Sequence, residues 1–231
     1  MRHFINSSFT LLTVNCSLLV LAAVGMTACE VDNYNKGQGR YSLIQGEFTE
    51  LTVNSEKQGI SFITDEGDTY TLTKPEEADW IETADTIYRA IIYFNKTDEG
   101  LANLYSMGRL ATLSPREHWR FEQTPEDPVG VESIWLARNG KYINMGLLLK
   151  SGYVDDKEGL HAVALACDTV LTNTNQTRTA YYRLLHSQGD TPQHYTNRRF
   201  LSILVPEDRP DTIQLTIPTW SGPYTRHFAL K

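Results

Sequence analysis

The sequence lacks the cysteines that a disulfide-stabilised exported domain would need. Its 231 residues contain three cysteines, at positions 16, 29 and 167. Cys16 lies in the amino-terminal apolar segment and Cys29 follows that segment, so the mature chain offers Cys167 no disulfide partner. Cys167 continues the alternating apolar positions Val163 and Leu165. This pattern indicates a small buried side chain rather than a nucleophile.

Motifs of the common catalytic and cofactor sites are also absent. The sequence contains no Gly-x-Ser-x-Gly elbow, no His-Glu-x-x-His zinc motif, no Walker-type phosphate loop and no dinucleotide glycine motif. The histidines of the mature chain are scattered singly, without the close spacing of a zinc pair. The acidic turns 65–68 and 155–159 lack EF-hand spacing, so we interpret both as solvated turns. We therefore predict no catalytic residue, no cofactor and no metal ligand.

An excess of basic residues is missing as well. The chain has 28 acidic residues against 21 lysines and arginines, a net charge of −7. Residues 41–115 hold most of the acidity, with thirteen acidic residues against five basic ones. A nucleic-acid partner requires a basic stripe that displaces counterions from phosphates. We therefore predict no nucleic-acid partner.

The amino terminus has the polarity of an export signal. No acidic residue precedes Glu30, residues 18–24 are wholly apolar, and small residues lead to Ala28 and Cys29. This pattern predicts a signal peptide over residues 1–28, cleaved between Ala28 and Cys29. A retained transmembrane helix is the alternative, but it needs roughly 18 apolar residues, and polar residues at 15–17 interrupt this run.

The segment Met26-Thr27-Ala28-Cys29 resembles the bacterial lipobox, with Met26 in place of the usual leucine. The resemblance implies that the thiol of Cys29 carries a diacylglyceryl group and that the membrane is a partner through this lipid. One acyl chain binds a membrane only reversibly, whereas two or three chains give a lasting anchor. The polar, glycine-containing segment 29–40 is then a flexible tether between the lipid and the folded part.

The rest of the sequence predicts an all-β fold in two parts. A proline-containing linker, 116–128, separates an OB-like domain at 41–115 from a β-sandwich domain at 129–231. The first part has strand patterns at 43–53, 60–65, 69–74, 86–94 and 101–113. Pro75 and the acids after it predict a short helix at 75–82. Five strands with a helix between the third and fourth is the order of an OB barrel.

The second part shows seven alternating runs, which predict a roughly seven-stranded β-sandwich. The runs are 131–138, 141–150, 161–171, 178–187, 198–205, 211–217 and 224–231. Asn139-Gly140 predicts a type I′ hairpin between the first two. The apolar positions of four runs predict a common core: Ile143, Met145, Leu147, Leu149, Val163, Leu165, Cys167, Leu201, Ile203, Val205, Ile213, Leu215 and Ile217.

This organisation resembles the NigD-like lipoproteins of Gram-negative anaerobes, over the whole chain. The resemblance also rests on the stretches Gly67-Asp68-Thr69-Tyr70-Thr71-Leu72 and Ile143-Asn144-Met145. It implies an OB domain followed by a β-sandwich, and a place at the outer membrane. The family has no established activity, and its name reflects an association with bacteriocin production.

Two sets of residues are candidates for contact or modification. Trp220 and Tyr224 belong to a Pro- and Gly-containing loop, where an exposed aromatic ring would contact a glycan or a protein; the alternative is that Trp220 fills the domain interface or the end of the sandwich. Thr86, Thr169 and Thr212 each follow an aspartate and precede an apolar residue. These triplets resemble the acceptor of a bacterial O-glycosylation system.

These observations predict a lipid-anchored envelope protein that binds a protein or glycan ligand without catalysis. An association with bacteriocin production or glycan handling would fit this location. One alternative is an extracytoplasmic hydrolase with carboxylates far apart in sequence, which leave no local motif. Another is a purely structural envelope protein. The expected location is the outer membrane, with exposure at the cell surface suggested by the acids after Cys29.

Overall fold

The computed structural model describes residues 43–97, 100–155 and 157–230. The predicted signal peptide and tether lie outside the described residues. The described part of the chain is almost entirely β, as predicted, and its one helical turn is the 3₁₀ segment His118–Arg120. Within that part, no helix is long and apolar enough to cross a membrane.

The first five strands form a closed barrel, which confirms the OB-like prediction. The strands are β1 Gln45–Val53, β2 Gly59–Thr64, β3 Thr69–Glu76, β4 Ile87–Lys96 and β5 Leu101–Arg109. Their order around the barrel is β1-β2-β3-β5-β4, and β1 closes it by pairing antiparallel with β4. On β4 the side chains of Ala90, Ile92 and Phe94 lie in the barrel core and are fully buried, since alternate residues of a strand face one side.

The predicted helix at 75–82 is wrong. β3 continues through Pro75 to Glu76, which pairs with Gly59 of the neighbouring strand β2. The residues after β3 then form turns, and the hydroxyl of Tyr88 accepts hydrogen bonds from the backbone N–H groups of Glu82 and Thr83. A short helix is costly to nucleate. Here the backbone donors find a side-chain acceptor instead.

The rest of the described chain forms a sandwich of two sheets. Its principal strands are β6 Ala111–Leu113, β7 Arg116–Glu117, β8 Gly130–Leu136, β9 Tyr142–Ser151, β12 Ala162–Thr172, β13 Arg178–Ser187, β14 Tyr195–Leu204, β15 Thr212–Ile217 and β16 Tyr224–Ala229. One sheet has the order β6-β14-β9-β8, and the other has the order β16-β15-β13-β12-β7. A separate two-stranded ribbon joins β10 Tyr153–Val154 to β11 Lys157–Glu158.

The predicted sandwich core is confirmed. The inward residues of β9, β12, β14 and β15 pack into one apolar cluster, with Val163 and Cys167 partly buried at its margin. All seven predicted runs are strands, and the short strands β6 and β7 are additional. Because the side-chain period of a strand is 2, alternation in the sequence identified the buried face.

The strand predicted at 101–113 divides at Leu110. β5 stays in the barrel, whereas β6 leaves it and pairs parallel with β14 in the sandwich. The backbone N–H of Leu110 still donates to the carbonyl of Arg89 in the barrel. This residue therefore lies at the crossing point between the two parts.

The hairpin between β8 and β9 is present, but its predicted type I′ turn is wrong. The loop spans residues 137–141, and Gly140 has a φ of +67° whereas Asn139 does not have a positive φ. A type I′ turn needs positive φ at both central residues. Asn139 instead donates its backbone N–H to the carbonyl of Asp65 in the barrel.

The four-stranded sheet is the middle layer of the molecule. On its central strands β9 and β14, the odd-numbered residues, such as Ile143 and Ile203, face the sandwich core. The even-numbered residues of these two strands face the barrel, and Asn144 and Ser202 among them hydrogen-bond to Arg89 of β4. Both faces of this sheet are therefore covered, which explains why β9 is buried along almost its whole length.

Candidate functional site

A buried ion pair joins the barrel to the middle sheet. Arg89 of β4 donates two hydrogen bonds to the carboxylate of Asp65, at 2.7 and 2.6 Å. It also donates to Ser202 at 3.1 Å and to Asn144 at 3.0 Å, both on the sandwich. Its guanidinium carbon lies 3.9 Å from the centre of the Tyr142 ring. We name Arg89, Asp65, Asn144 and Ser202 the seam network.

The seam network satisfies its own polar atoms. The side-chain amide of Asn144 donates to Asp65 at 2.7 Å, and the hydroxyl of Ser202 donates to the side-chain oxygen Oδ1 of Asn144 at 2.7 Å. The side chains of Arg89 and Asp65 are almost completely buried. Buried charges need such partners, because removing them from water is costly. The seam network therefore fixes the barrel on the sandwich, and Asp65 has no oxygen free for calcium.

A second, partly buried chain of hydrogen bonds lies at one end of the sandwich. The hydroxyl of Ser151 is 3.2 Å from Nε2 of His161, and Nδ1 of His161 is 3.0 Å from Nε2 of His186. Nδ1 of His186 lies 2.9 Å from the backbone carbonyl of Asp127. We name these groups the histidine chain.

The direction of the histidine chain follows from its last acceptor. A carbonyl only accepts, so Nδ1 of His186 carries a proton and, with a neutral ring, its Nε2 accepts from Nδ1 of His161. Nε2 of a neutral His161 then accepts from the hydroxyl of Ser151. A serine hydrogen-bonded to an oriented histidine is the arrangement of an activated nucleophile. Here, however, Ser151 is only 1% exposed and His186 is fully buried. The geometry therefore favours a structural role, in which His186 holds the backbone carbonyl of Asp127 in place.

The histidine chain was not predicted from the sequence, because its members lie on or beside separate strands. A signal was nevertheless present, since His161 continues the inward alternation of Val163 and Leu165. His186 is directly opposite Val163 in the β12–β13 register, which places both imidazoles at one end of the core. Over the described residues, no group of three or more metal-ligating side chains is present.

A crevice opens between the two sheets of the sandwich, near the histidine chain. Its volume is about 510 Å³, within the range of small-molecule sites. Apolar side chains from the middle sheet and from β12 form most of its wall, among them Leu147, Leu149 and Val163. Three cationic or titratable side chains also line it: Arg109, Arg199 and His161.

The predicted contact residues lie on and after the turn between β15 and β16. Trp220 is 48% exposed, and the ammonium of Lys150 is 6.0 Å from the centre of its ring. The turn is closed by two hydrogen bonds between Thr219 and Gly222. Tyr224 begins β16 and is 37% exposed. Trp220 therefore belongs to the surface, and the turn holds it in an ordered position.

The predicted O-glycosylation residues differ in exposure. Thr169 is exposed on β12, whereas Thr86 and Thr212 are partly buried. Asp168, next to Thr169, forms a two-fold hydrogen bond with Arg183. The lipidation residue Cys29 and the cleavage residue Ala28 lie outside the described residues.

The thiol of Cys167 is partly buried, forms no disulfide within the described part of the chain, and lies 3.8 Å from the backbone carbonyl of Thr169. Burial raises the pKa of this thiol, and the neighbouring carboxylates of Asp168 and Glu117 raise it further. A raised pKa keeps the thiol protonated at neutral pH, and the thiol form is a poor nucleophile.

No protein-family model and no curated protein matches this chain. Solved structures do match. A NigD-like immunity protein from Bacteroides caccae is 23% identical, with a TM-score of 0.62, over 80% of this chain and 92% of that one. A proposed toxin-related protein from Parabacteroides distasonis is 14% identical, with a TM-score of 0.60, over 80% and 92%. A proposed lipoprotein from Bacteroides fragilis is 12% identical, with a TM-score of 0.56, over 81% and 98%. The chain therefore has the fold of these proteins.

Proposed function

We propose that this protein is a NigD-like lipoprotein of the outer membrane, anchored through Cys29, that binds a protein or glycan partner without catalysis. The shared fold with a NigD-like immunity protein and a proposed lipoprotein supports this assignment. The lipobox over residues 26–29 supports the anchor. In this arrangement the tether holds the two joined β parts away from the membrane, on the outer face of the cell.

The exposed turn of Trp220 carries the proposal of binding. A large aromatic ring that is already held in place loses little conformational entropy when a partner covers it. Its indole stacks on sugar rings or fills a hydrophobic hollow, and aromatic residues are enriched in such contacts. Lys150 adds a positive charge beside the ring. An acidic protein surface or an acidic glycan fits this combination.

A bacteriocin-related protein is the partner that the structural neighbours favour. One neighbour is described as an immunity protein and another as toxin-related. Binding of a protein partner requires an exposed surface rather than catalytic groups. The turn of Trp220 supplies such a surface.

The engaged carboxylates favour binding over the hydrolase alternative. Asp65 pairs with Arg89, Asp168 pairs with Arg183, and Asp208 pairs with Arg178. A carboxylate that acts as a general acid needs a raised pKa. Burial raises the pKa of the Glu47 carboxyl. Glu47 does not line the crevice.

Trp220→Ala tests the proposal. We expect this variant to lose contact with the partner, measured with outer-membrane extract of the producing bacterium and with a glycan array. Its thermal midpoint should stay close to that of the wild type, because half of the side chain is already exposed. Trp119→Ala is the matched control, since Trp119 is 70% exposed on the 3₁₀ turn; this variant should keep the contact. Binding that survives in Trp220→Ala, or a large fall in its midpoint, would contradict the proposal.

A further inference from the structure

The crevice is a formed cavity with an apolar interior. It lies where the short strand β6 leaves part of the edge of β14 uncovered, between the middle sheet and β12. Leu147, Leu149 and Leu201 are nearly or fully buried members of the sandwich core, and each also contributes to the crevice wall. A site of this kind takes an apolar body out of water and gains free energy in proportion to the buried area.

The ionisable groups among the described lining residues are two arginines and a histidine. Arg109 comes from the end of the barrel, Arg199 from β14 and His161 from the start of β12, and none of the described residues that line the cavity is an Asp or a Glu. This is an unusual local balance in a chain with a net charge of −7. Arg109 also lies 4.0 Å from Glu82 outside the cavity, so its position is already restricted.

Guanidinium groups recognise one ligand chemistry better than others. Their planar N–H donors match the two oxygens of a carboxylate and form charge-assisted hydrogen bonds. Two such groups beside an apolar cavity fit a molecule that has a carboxylate at one end and a hydrocarbon body at the other. His161 is held by the histidine chain, so this part of the wall keeps its shape without a ligand.

We propose that the crevice binds a small amphipathic carboxylic acid, with its hydrocarbon body between the sheets and its carboxylate at Arg109 and Arg199. This site is separate from the turn of Trp220. Either proposal therefore stands or falls without the other.

A series of straight-chain acids tests the site. Isothermal titration calorimetry would use the lipidated full chain in nanodiscs, with the signal of empty nanodiscs subtracted. The probes are butanoate, hexanoate and octanoate, with 1-hexanol and 1-octanol as uncharged matches. We expect the dissociation constant to fall roughly fourfold per added methylene until the cavity is full. The acids should bind about tenfold or more tightly than the alcohols.

Two variants locate the binding. Arg199→Gln should weaken octanoate binding about tenfold and leave 1-octanol binding unchanged, because it removes the charge and keeps much of the side-chain volume. Ala111→Phe, at an exposed lining position of β6, should fill the cavity and abolish binding of both probes. Ala229→Phe, at an exposed position of β16 outside the cavity, is the matched control.

Three results would overturn the proposal. Alcohols that bind as tightly as the acids would show that the guanidinium groups play no part. Octanoate binding that persists in Ala111→Phe would place the acid elsewhere. If Ala111→Phe does not fold, Arg199→Gln still decides, since unchanged octanoate affinity in that variant would exclude recognition of the carboxylate at this site.

Discussion

At the scale of single residues, two arginines form ion pairs with neighbouring acidic residues of the turn between β2 and β3, and one pair is buried whereas the other is exposed. Arg89 meets Asp65 in the buried seam network, and Arg138 meets Glu66 at the surface. The energetic value of an ion pair depends on its burial. A buried pair that loses one partner leaves an uncompensated charge, whereas water screens an exposed pair and replaces its contacts.

Replacing Arg89 by alanine should therefore destabilise the protein strongly. We expect the free energy of unfolding in urea to fall by about 3–5 kcal/mol, because Asp65 would remain buried without its cation. Arg138→Ala is the control, and its urea midpoint should hardly change. Equal effects of the two variants would show that the seam network does not hold the two parts together.

The phenol of Tyr142, beside the seam network, should make the stability of the protein depend on pH in the alkaline range. Burial raises the pKa of its phenol from 10.0 to about 12, and the hydrogen bond that the phenol donates to Glu50 acts in the same direction. The folded state thus holds this proton more tightly than the unfolded state. The resulting stabilisation is complete below pH 10 and is lost as the pH rises through about 12.

Wild-type protein should consequently lose more stability between pH 10 and pH 12 than Tyr142→Phe does. Urea unfolding at several pH values would measure this difference between the two proteins. The variant also removes the hydrogen bond to Glu50, so it should be the less stable of the two at neutral pH. Parallel pH profiles for wild type and variant would contradict the assignment to Tyr142.

At the scale of elements, the sequence predicted what depends on local alternation. The seven sandwich strands and their common core follow from period-2 apolar patterns, so they could be located from residues such as Ile143 and Met145. The helix predicted at 75–82 is wrong, because strand pairing of Glu76 with Gly59 outweighs the local preference of these residues for a helix. The division at Leu110 could not be predicted, because the apolar pattern continues while the strand changes sheets.

The three O-glycosylation candidates lie in different parts of the fold and differ in accessibility. Thr169 is exposed, so we expect protein purified from its native host to carry added sugar at this residue. Intact-mass measurement should show the addition, and Thr169→Ala should remove it. Thr212→Ala serves as the control because Thr212 is partly buried, and this variant should keep the full mass. A native protein without added mass would exclude the modification.

At the scale of the whole molecule, the sequence indicated the order of the two β parts but not how they meet. Arg89 alternates with the buried residues Ala90 and Ile92 of β4, so it lies on the outer face of the barrel, yet nothing local in the sequence shows that a second part covers this face. The histidine chain and the crevice escaped prediction for the same reason. Each is assembled from strands that are far apart in sequence, and such contacts leave no periodic pattern.

The lipid on Cys29 is the premise of the envelope location and therefore of the proposed partner contact. Intact-mass spectrometry of the protein extracted from native membranes measures it directly. The predicted result is a mature chain that begins at Cys29 and carries a diacylglyceryl group, and a Cys29→Ser variant that lacks the lipid and leaves the membrane fraction. A mature chain with another first residue, or an unmodified Cys29 in the native protein, would contradict lipid anchoring at this residue.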